Sequence, residues 1–104
     1  MDQVIWSAGA EADLQEIARY VAEQDREQAS EIVNAALTRA QERIEFPELG
    51  AILPEIGLPT IREVLVKETF RLIYEIRPQN IVILAFIRSS RRLGKRELHR
   101  RRQT

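Results

Sequence analysis

The most constraining stretch of this sequence runs from Phe70 to Ile87, where two strand patterns follow one another across a short turn. Phe70-Arg71-Leu72-Ile73-Tyr74-Glu75-Ile76-Arg77 alternates, which puts Phe70, Leu72, Tyr74 and Ile76 on one face and Arg71, Glu75 and Arg77 on the other. Pro78-Gln79-Asn80 turns the chain. Ile81 to Ile87 is then apolar without interruption, the pattern of a strand covered on both faces and therefore interior to its sheet. Such a strand needs paired neighbours and a cover on each side, so the rest of the chain must supply both.

The preceding segments provide them. Thr60 to Lys67 has strand composition in Ile61, Val64, Leu65 and Val66, and Glu68-Thr69 is a tight-turn candidate. Near the N-terminus Val4-Ile5-Trp6-Ser7 reads as a first strand, with Ser7 placed to cap a helix. From Ala8 to Gln24, Leu14, Ile17 and Val21 recur at helical spacing, and Glu11 and Asp13 suit the positive end of a helix dipole. Beyond Gln24-Asp25-Arg26 a second helix carries a stripe of Ala29, Val33, Ala36, Leu37, Ala40 and Ile44, and Pro47 stops it. Pro47, Gly50, Pro54, Gly57 and Pro59 make the next stretch an ordered connector. The expected fold is α+β: an N-terminal strand, an antiparallel helix hairpin, and a three-stranded antiparallel meander with both helices on one face. A short basic tail or helix around Glu97 and Leu98 should follow, fraying from Arg100 to Thr104.

At 104 residues and 44% apolar content the chain has material for one core, so residues 1–104 are read as a single domain. With no cysteine it has neither disulfides nor a thiolate metal site, and it must hold together by burial alone. No stretch approaches the roughly 18 apolar residues of a membrane span, and Met1-Asp2-Gln3 lacks the start of a signal peptide. A cytoplasmic location without membrane contact is expected.

The formal net charge of zero conceals a division along the chain. From Arg88 onward there are eight basic residues and one acid, Glu97, a surplus of +7 that residues 1–87 must balance at −7. A basic end of this kind attracts an acidic partner or a phosphate backbone.

Few constellations could carry chemistry. His99 is the only histidine and lies among arginines, so no metal site or nucleophilic triad with Ser89 or Ser90 is expected. Gly50, Gly57 and Gly94 are isolated and form no phosphate loop, and neither a cofactor nor a small-molecule substrate is expected. Glu63 and Glu75 sit beside arginines, where cross-strand salt bridges with Arg62, Arg71 or Arg77 are favoured over a general base. What remains is an arginine set, Arg62, Arg71, Arg88, Arg91 and Arg92, whose strand ends could converge on a concave basic surface.

Several segments together resemble the ParE/RelE superfamily of toxins from type II toxin-antitoxin systems. They are Trp6, Ala12-Asp13-Leu14-Gln15-Glu16-Ile17-Ala18-Arg19-Tyr20, Pro47-Glu48-Leu49-Gly50, Pro54-Glu55, Ile61-Arg62-Glu63, Phe70 to Ile76, and Ile81-Val82-Ile83-Leu84 leading to Arg91-Arg92. The resemblance implies a RelE-like fold and a toxin neutralised by a cognate antitoxin. A dimeric, DNA-binding, ParD-like antitoxin and a heterotetrameric complex are expected. RelE-like members cut messenger RNA on the ribosome with basic residues and commonly a C-terminal tyrosine or histidine, whereas ParE-like members inhibit DNA gyrase. Arg71 matches the arginine of the superfamily's Tyr-Arg-x-x-Tyr pattern with Phe70 in place of the tyrosine, and Arg62 falls where RelE-like enzymes often carry a basic residue.

Past Tyr74 there is no tyrosine, and Ser89 stands where many members have the histidine. Attack by a 2′-hydroxyl needs a proton acceptor and a donor, roles that arginine fills poorly. The sequence therefore favours a ParE-like gyrase inhibitor without catalysis, contacting its target through Arg88, Arg91, Arg92, Lys95 and Arg96 and its antitoxin through Arg71, Arg91 and Arg92. A RelE-type endoribonuclease using Arg62, Arg71 and Arg91 is the alternative; an inactive antitoxin-binding corepressor is another.

Overall fold

The computed structural model describes residues 3–103. Met1, Asp2 and Thr104, on which the expectations about a leader and a frayed end partly rest, lie outside the described residues. Strand β1 (Gln3–Trp6) leads through Ser7 into helix α1 (Ala8–Ala22), followed by α2 (Arg26–Glu45). The connector contains a two-residue strand, β2 (Ala51–Ile52). The meander is β3 (Ile61–Val66), β4 (Phe70–Ile76) and β5 (Asn80–Arg88), and helix α3 (Lys95–Arg102) follows.

The helix boundaries follow local chemistry. Ser7 Oγ accepts from the Ala10 amide at 3.1 Å and Asp25 Oδ1 from the Gln28 amide at 3.1 Å, so each helix of the hairpin starts on a side-chain cap. Helix α2 ends before Pro47, at a Phe46 (φ −131°, ψ 66°) that has left the helical region, which a following proline disfavours.

The sheet has five strands in the order β1-β5-β4-β3-β2. The antiparallel meander is present as expected, and two short strands extend it. β1 lies parallel to β5, with Val4 opposite Ile81 and Trp6 opposite Ile83. β2 pairs antiparallel with β3, Ala51 opposite Glu63. That second strand was not anticipated because two residues in a Pro/Gly-rich connector carry no periodicity.

Ile81–Ile87 pairs with β4 on one side and with β1 as far as Ile83 on the other, is buried throughout, and splits its side chains between two cores. Ile81, Ile83 and Phe86 join Leu72, Tyr74, Phe70, Val64 and the helices α1 and α2 on one face. Val82, Leu84, Ala85 and Ile87 face the other way, towards Leu53, Ile61, Ile73, Leu93 and Leu98. Strict alternation would send Leu84 and Ala85 to opposite faces. A β-bulge resolves this: Ile73 pairs with Ala85 and Tyr74 with Ile83, so Leu84 is the extra residue.

Two expectations need correction. The buried face of α2 is Ala29, Ile32, Ala36, Ala40 and Arg43, and Leu37 is 47% exposed. Several stripes of helical period can be drawn through so alanine-rich a helix, and the sheet surface selects one rotated from the stripe that merely collects the most apolar residues. The second correction concerns the C-terminus. Helix α3 runs to Arg102, and Arg101 and Arg102 are held in ion pairs instead of fraying.

In the β3–β4 turn Lys67 and Glu68 both have positive φ, 52° and 60°, and the Thr69 amide donates to the Val66 carbonyl at 3.2 Å. This is the handedness that hairpins require, adopted by residues that resist it. Glu68→Gly is expected to stabilise the protein by about 1 kcal/mol. An unchanged or lower urea midpoint would show that the turn is unstrained.

Candidate functional site

The alternation of β4 places Arg71 and Glu75 on the face away from the helix hairpin, where open surface would be the simple expectation. Instead both are buried, Arg71 at 3% and Glu75 at 6% exposure, because the connector around Leu53 and Ile56 and the C-terminal segment anchored by Leu93 and Leu98 cover that face. Buried charges must be paired, and three ion clusters satisfy them.

In the first, Arg71 grips Glu55 bidentately, Nη1 to Oε2 and Nη2 to Oε1 both at 2.8 Å. Its Nε donates to Glu63 Oε1 at 2.6 Å, and Nη1 also donates to the Arg91 carbonyl at 2.6 Å. Glu55 Oε2 in turn accepts from the Leu93 amide at 3.0 Å. The hydrogen bond from Arg71 is the chief reason why the Glu55 carboxyl falls from its ordinary 4.5 to about 2, against the opposing effect of burial. The fork of one arginine thus ties the connector, β3 and the chain leaving β5 to the centre of the sheet.

In the second, Glu75 accepts from Arg77 at 2.9 Å and from Arg102 at 2.7 Å. Burial, the largest influence, would raise this carboxyl, but the two arginines together outweigh it and hold it below the usual range. The third occupies the β-bulge. Beyond Trp6 no strand continues beside β5, and side chains complete the ladder: Asp13 Oδ2 accepts from the Phe86 amide at 2.9 Å, and Arg101 Nη1 donates to the Leu84 carbonyl at 2.9 Å. Arg101 also pairs with Asp13 at 2.8 Å and with Glu97 at 3.1 Å. Burial lowers the Arg101 guanidinium, and the hydrogen bonds it donates to these carboxylates, with their charge, more than offset it.

The expected arginine constellation is only partly assembled. Arg71 meets Arg91 through the latter's carbonyl. Arg62, opposite Tyr74, belongs to the other face of the sheet, and its guanidinium holds the connector through the carbonyls of Pro59 (2.8 Å), Gly50 (3.0 Å) and Glu48 (3.2 Å). Arg62, Arg71 and Arg91 therefore do not converge on one surface, because neighbouring residues of a strand project to opposite faces. The favoured salt bridge of Glu63 with Arg71 is present.

The residues named for target contact lie outside this framework. Arg88 is exposed, its guanidinium 5.6 Å from the centroid of the Phe70 ring. Arg91 is 48% exposed along its side chain and engages Glu97 at 3.0 Å. Arg92, Lys95 and Arg96 are exposed, and no ion pair among the described residues involves them. Arg88 and Arg91 also border a groove of about 270 Å³ with Asp13, Glu16, Ile17 and Phe86, next to α1.

Tyr74 is fully buried, donating to the Pro47 carbonyl at 2.6 Å and accepting from the Gly50 amide at 3.1 Å. Arg43, not singled out in the sequence, is buried with its guanidinium 5.8 Å from the centroid of that ring. Glu55, Asp13, Arg101 and Arg102 were likewise not singled out as site-forming. The one available signal was Glu55 itself, an acid between the apolar Leu53 and Ile56.

A family model described as the ParE toxin of type II toxin-antitoxin system, parDE, matches residues 4–93. The chain belongs to the ParE toxin family. Among solved structures the fold is similar to that of a chain described as the chromosomal ParDE TA system from P. aeruginosa. The TM-score is 0.68 and the identity 24%, over 85% of this chain and 96% of that one. Comparison with curated proteins gave no match. The ParE match ends at Leu93, so the basic helix α3 lies beyond the matched residues. Among the described residues there is no cluster that could hold a metal ion, and no helix is long and apolar enough to cross a membrane.

Proposed function

We propose that this ParE-family toxin is one domain, acts in the cytoplasm by binding DNA gyrase through protein contact, carries out no chemistry of its own, and is neutralised by a cognate antitoxin. The observation that carries the reading is the condition of Arg71. The arginine that a nuclease would need at its centre is buried and committed to Glu55, Glu63 and the Arg91 carbonyl. Tyr74 is equally committed, since its hydroxyl is engaged by Pro47 and Gly50. Neither group is placed to exchange a proton with a bound RNA.

The exposed cations Arg88, Arg91, Arg92, Lys95 and Arg96 then serve as the surface that engages gyrase or its DNA complex. Arg91 and Arg92 double as docking points for an acidic segment of the antitoxin, which is expected to be a dimeric DNA-binding protein in a heterotetrameric complex. Arg71 contributes to antitoxin binding indirectly, by holding the Arg91 backbone.

Purified toxin should block supercoiling by gyrase and leave messenger RNA intact in a translation extract. Cleavage of the messenger at the ribosome with normal supercoiling would reverse the assignment. Because Arg71 is structural, loss of activity in an Arg71→Ala variant would not discriminate. The informative variant is Arg91→Glu with Arg92→Glu, for which inhibition should weaken by roughly tenfold or more. If both gyrase inhibition and antitoxin affinity survive that change, the contact surface lies elsewhere.

A further inference from the structure

We propose that the outer face of α3 lies along the phosphate backbone of duplex DNA. This deepens the gyrase reading, on which the choice of DNA over duplex RNA rests, since gyrase holds a DNA duplex.

The helix divides its residues cleanly. Leu98 is buried in the far-side core, while Arg101, Arg102 and Glu97 turn inward or sideways to their ion pairs. Lys95, Arg96, His99 and Arg100 are all exposed, and exposed Arg92 continues the stripe in the turn before the helix. The only acid in this part of the chain, Glu97, is consumed by Arg91 and Arg101. Asp13 and Glu75 neutralise the inward arginines. The fold has thus spent its local acids on the inner side and left an outer side that carries Arg92, Lys95, Arg96 and Arg100 and no acid. No ion pair among the described residues involves Arg92, Lys95, Arg96 or Arg100.

Two features separate this surface from a protein-docking face. It has no exposed aliphatic, Phe, Tyr or Trp side chain, whereas protein interfaces rely on buried apolar anchors. Its one ring is the His99 imidazole, with no Phe, Tyr or Trp to form a stacking platform for successive unpaired bases, which disfavours single strands. A row of cations on a rigid helix of eight residues, about 12 Å long, suits a regular line of phosphates. The compensating −7 charge of residues 1–87 would keep the rest of the molecule turned away from the polyanion.

The test is fluorescence anisotropy of the full-length toxin on labelled duplexes of arbitrary sequence, without gyrase present. Binding to duplex DNA should be measurable at about 50 mM salt, with log K falling against log salt at a slope of about −3 to −4, as for three to four neutralised phosphates. Lys95→Glu with Arg96→Glu and Arg100→Glu should weaken it at least tenfold while leaving the circular dichroism and melting temperature unchanged. Arg19→Glu with Arg26→Glu, on the distant hairpin, should alter it by no more than about twofold beyond the general charge effect. Absence of binding, or binding indifferent to the triple reversal, overturns the proposal. Equal affinity for duplex RNA or for polyglutamate overturns it too, assigning the stripe to RNA or to an acidic protein. Since gyrase is absent from this assay, its failure leaves the supercoiling result standing, and failure of the supercoiling assay leaves any measured DNA affinity intact.

Discussion

Arg71→Ala is expected to lower stability by about 3–5 kcal/mol, the range for stranding a buried charge by removing its partner. Against a typical domain stability of about 5–15 kcal/mol this leaves much of the protein unfolded under mild denaturant. Two carboxylates lose their counter-charge, Glu55 and Glu63, with side-chain exposures of 12% and 18%. The Arg91 carbonyl loses its donor as well. Adding Glu55→Gln and Glu63→Gln should recover on the order of half the loss, because neutral amides remove the unpaired charge while leaving the cavity. Arg71→Lys should recover little, since an ammonium cannot reproduce the fork on Glu55 and the second bond to Glu63.

The same cluster has a pH signature. The Glu55 carboxyl lies at about 2 in the folded protein against an ordinary 4.5, so it stabilises the fold above about pH 4.5. That contribution, on the order of 3 kcal/mol, is lost as pH falls towards 2. In Arg71→Ala the Glu55 carboxylate lacks its cation, its depression disappears, and protonation relieves the stranded charge. The gap between the two proteins should therefore narrow as pH falls from 5 to 3. Urea denaturation across that range measures it, and a gap that stays constant or widens would mean that Arg71 is not the counter-charge it is taken to be.

Gly50→Ala should cost about 2–3 kcal/mol through overpacking. A methyl group at Gly50 would run into the Tyr74 hydroxyl and lie 2.7 Å from the Glu63 carbonyl oxygen and 3.0 Å from Tyr74 Cε1. The obstacle is space and not backbone conformation, since Gly57 is the only glycine with positive φ. One of the colliding groups is backbone of β3 and the other is a fully buried ring, so neither yields cheaply. The carbonyl of Gly50 is also an Arg62 partner and its amide a Tyr74 partner, so the connector should loosen as a unit. Hydrogen exchange at the Leu53 amide, which donates to the Ile61 carbonyl at 3.0 Å, reports that loosening directly. Removing the hydroxyl with Tyr74→Phe costs stability alone but relieves part of the clash. The double variant should consequently be more stable than the sum of the two losses by at least about 0.5 kcal/mol. Strict additivity would place the collision somewhere else.

The arginines show how much of the site could be read in advance. The alternation of Phe70 to Arg77 put Arg71 and Glu75 together on one face of a strand, and they are together on one face. Whether that face met water was not legible. Its cover comes from a connector dense in proline and glycine and from a highly charged terminal helix, neither of which carries an apolar stripe; Leu53, Leu93 and Leu98 suffice as anchors. Ion-pair partners were hidden for a related reason. Arg71 reaches Glu55 across 16 positions and Arg101 reaches Asp13 across 88, and charge has no periodicity that would link such pairs.

By itself the sequence determined the order of strands and helices, the antiparallel meander, the doubly covered Ile81–Ile87 strand and the concentration of positive charge after Arg88. These are local properties, written in the spacing of neighbouring side chains. Only the tertiary structure decided which arginines are structural and which are presented: Arg71, Arg101 and Arg102 turn in to acids, while Arg92, Lys95 and Arg96 face outward. The reason is that spacing says which side chains share a face but not what lies against it, and for a charged group the difference between water and a buried carboxylate decides whether it can meet a partner at all.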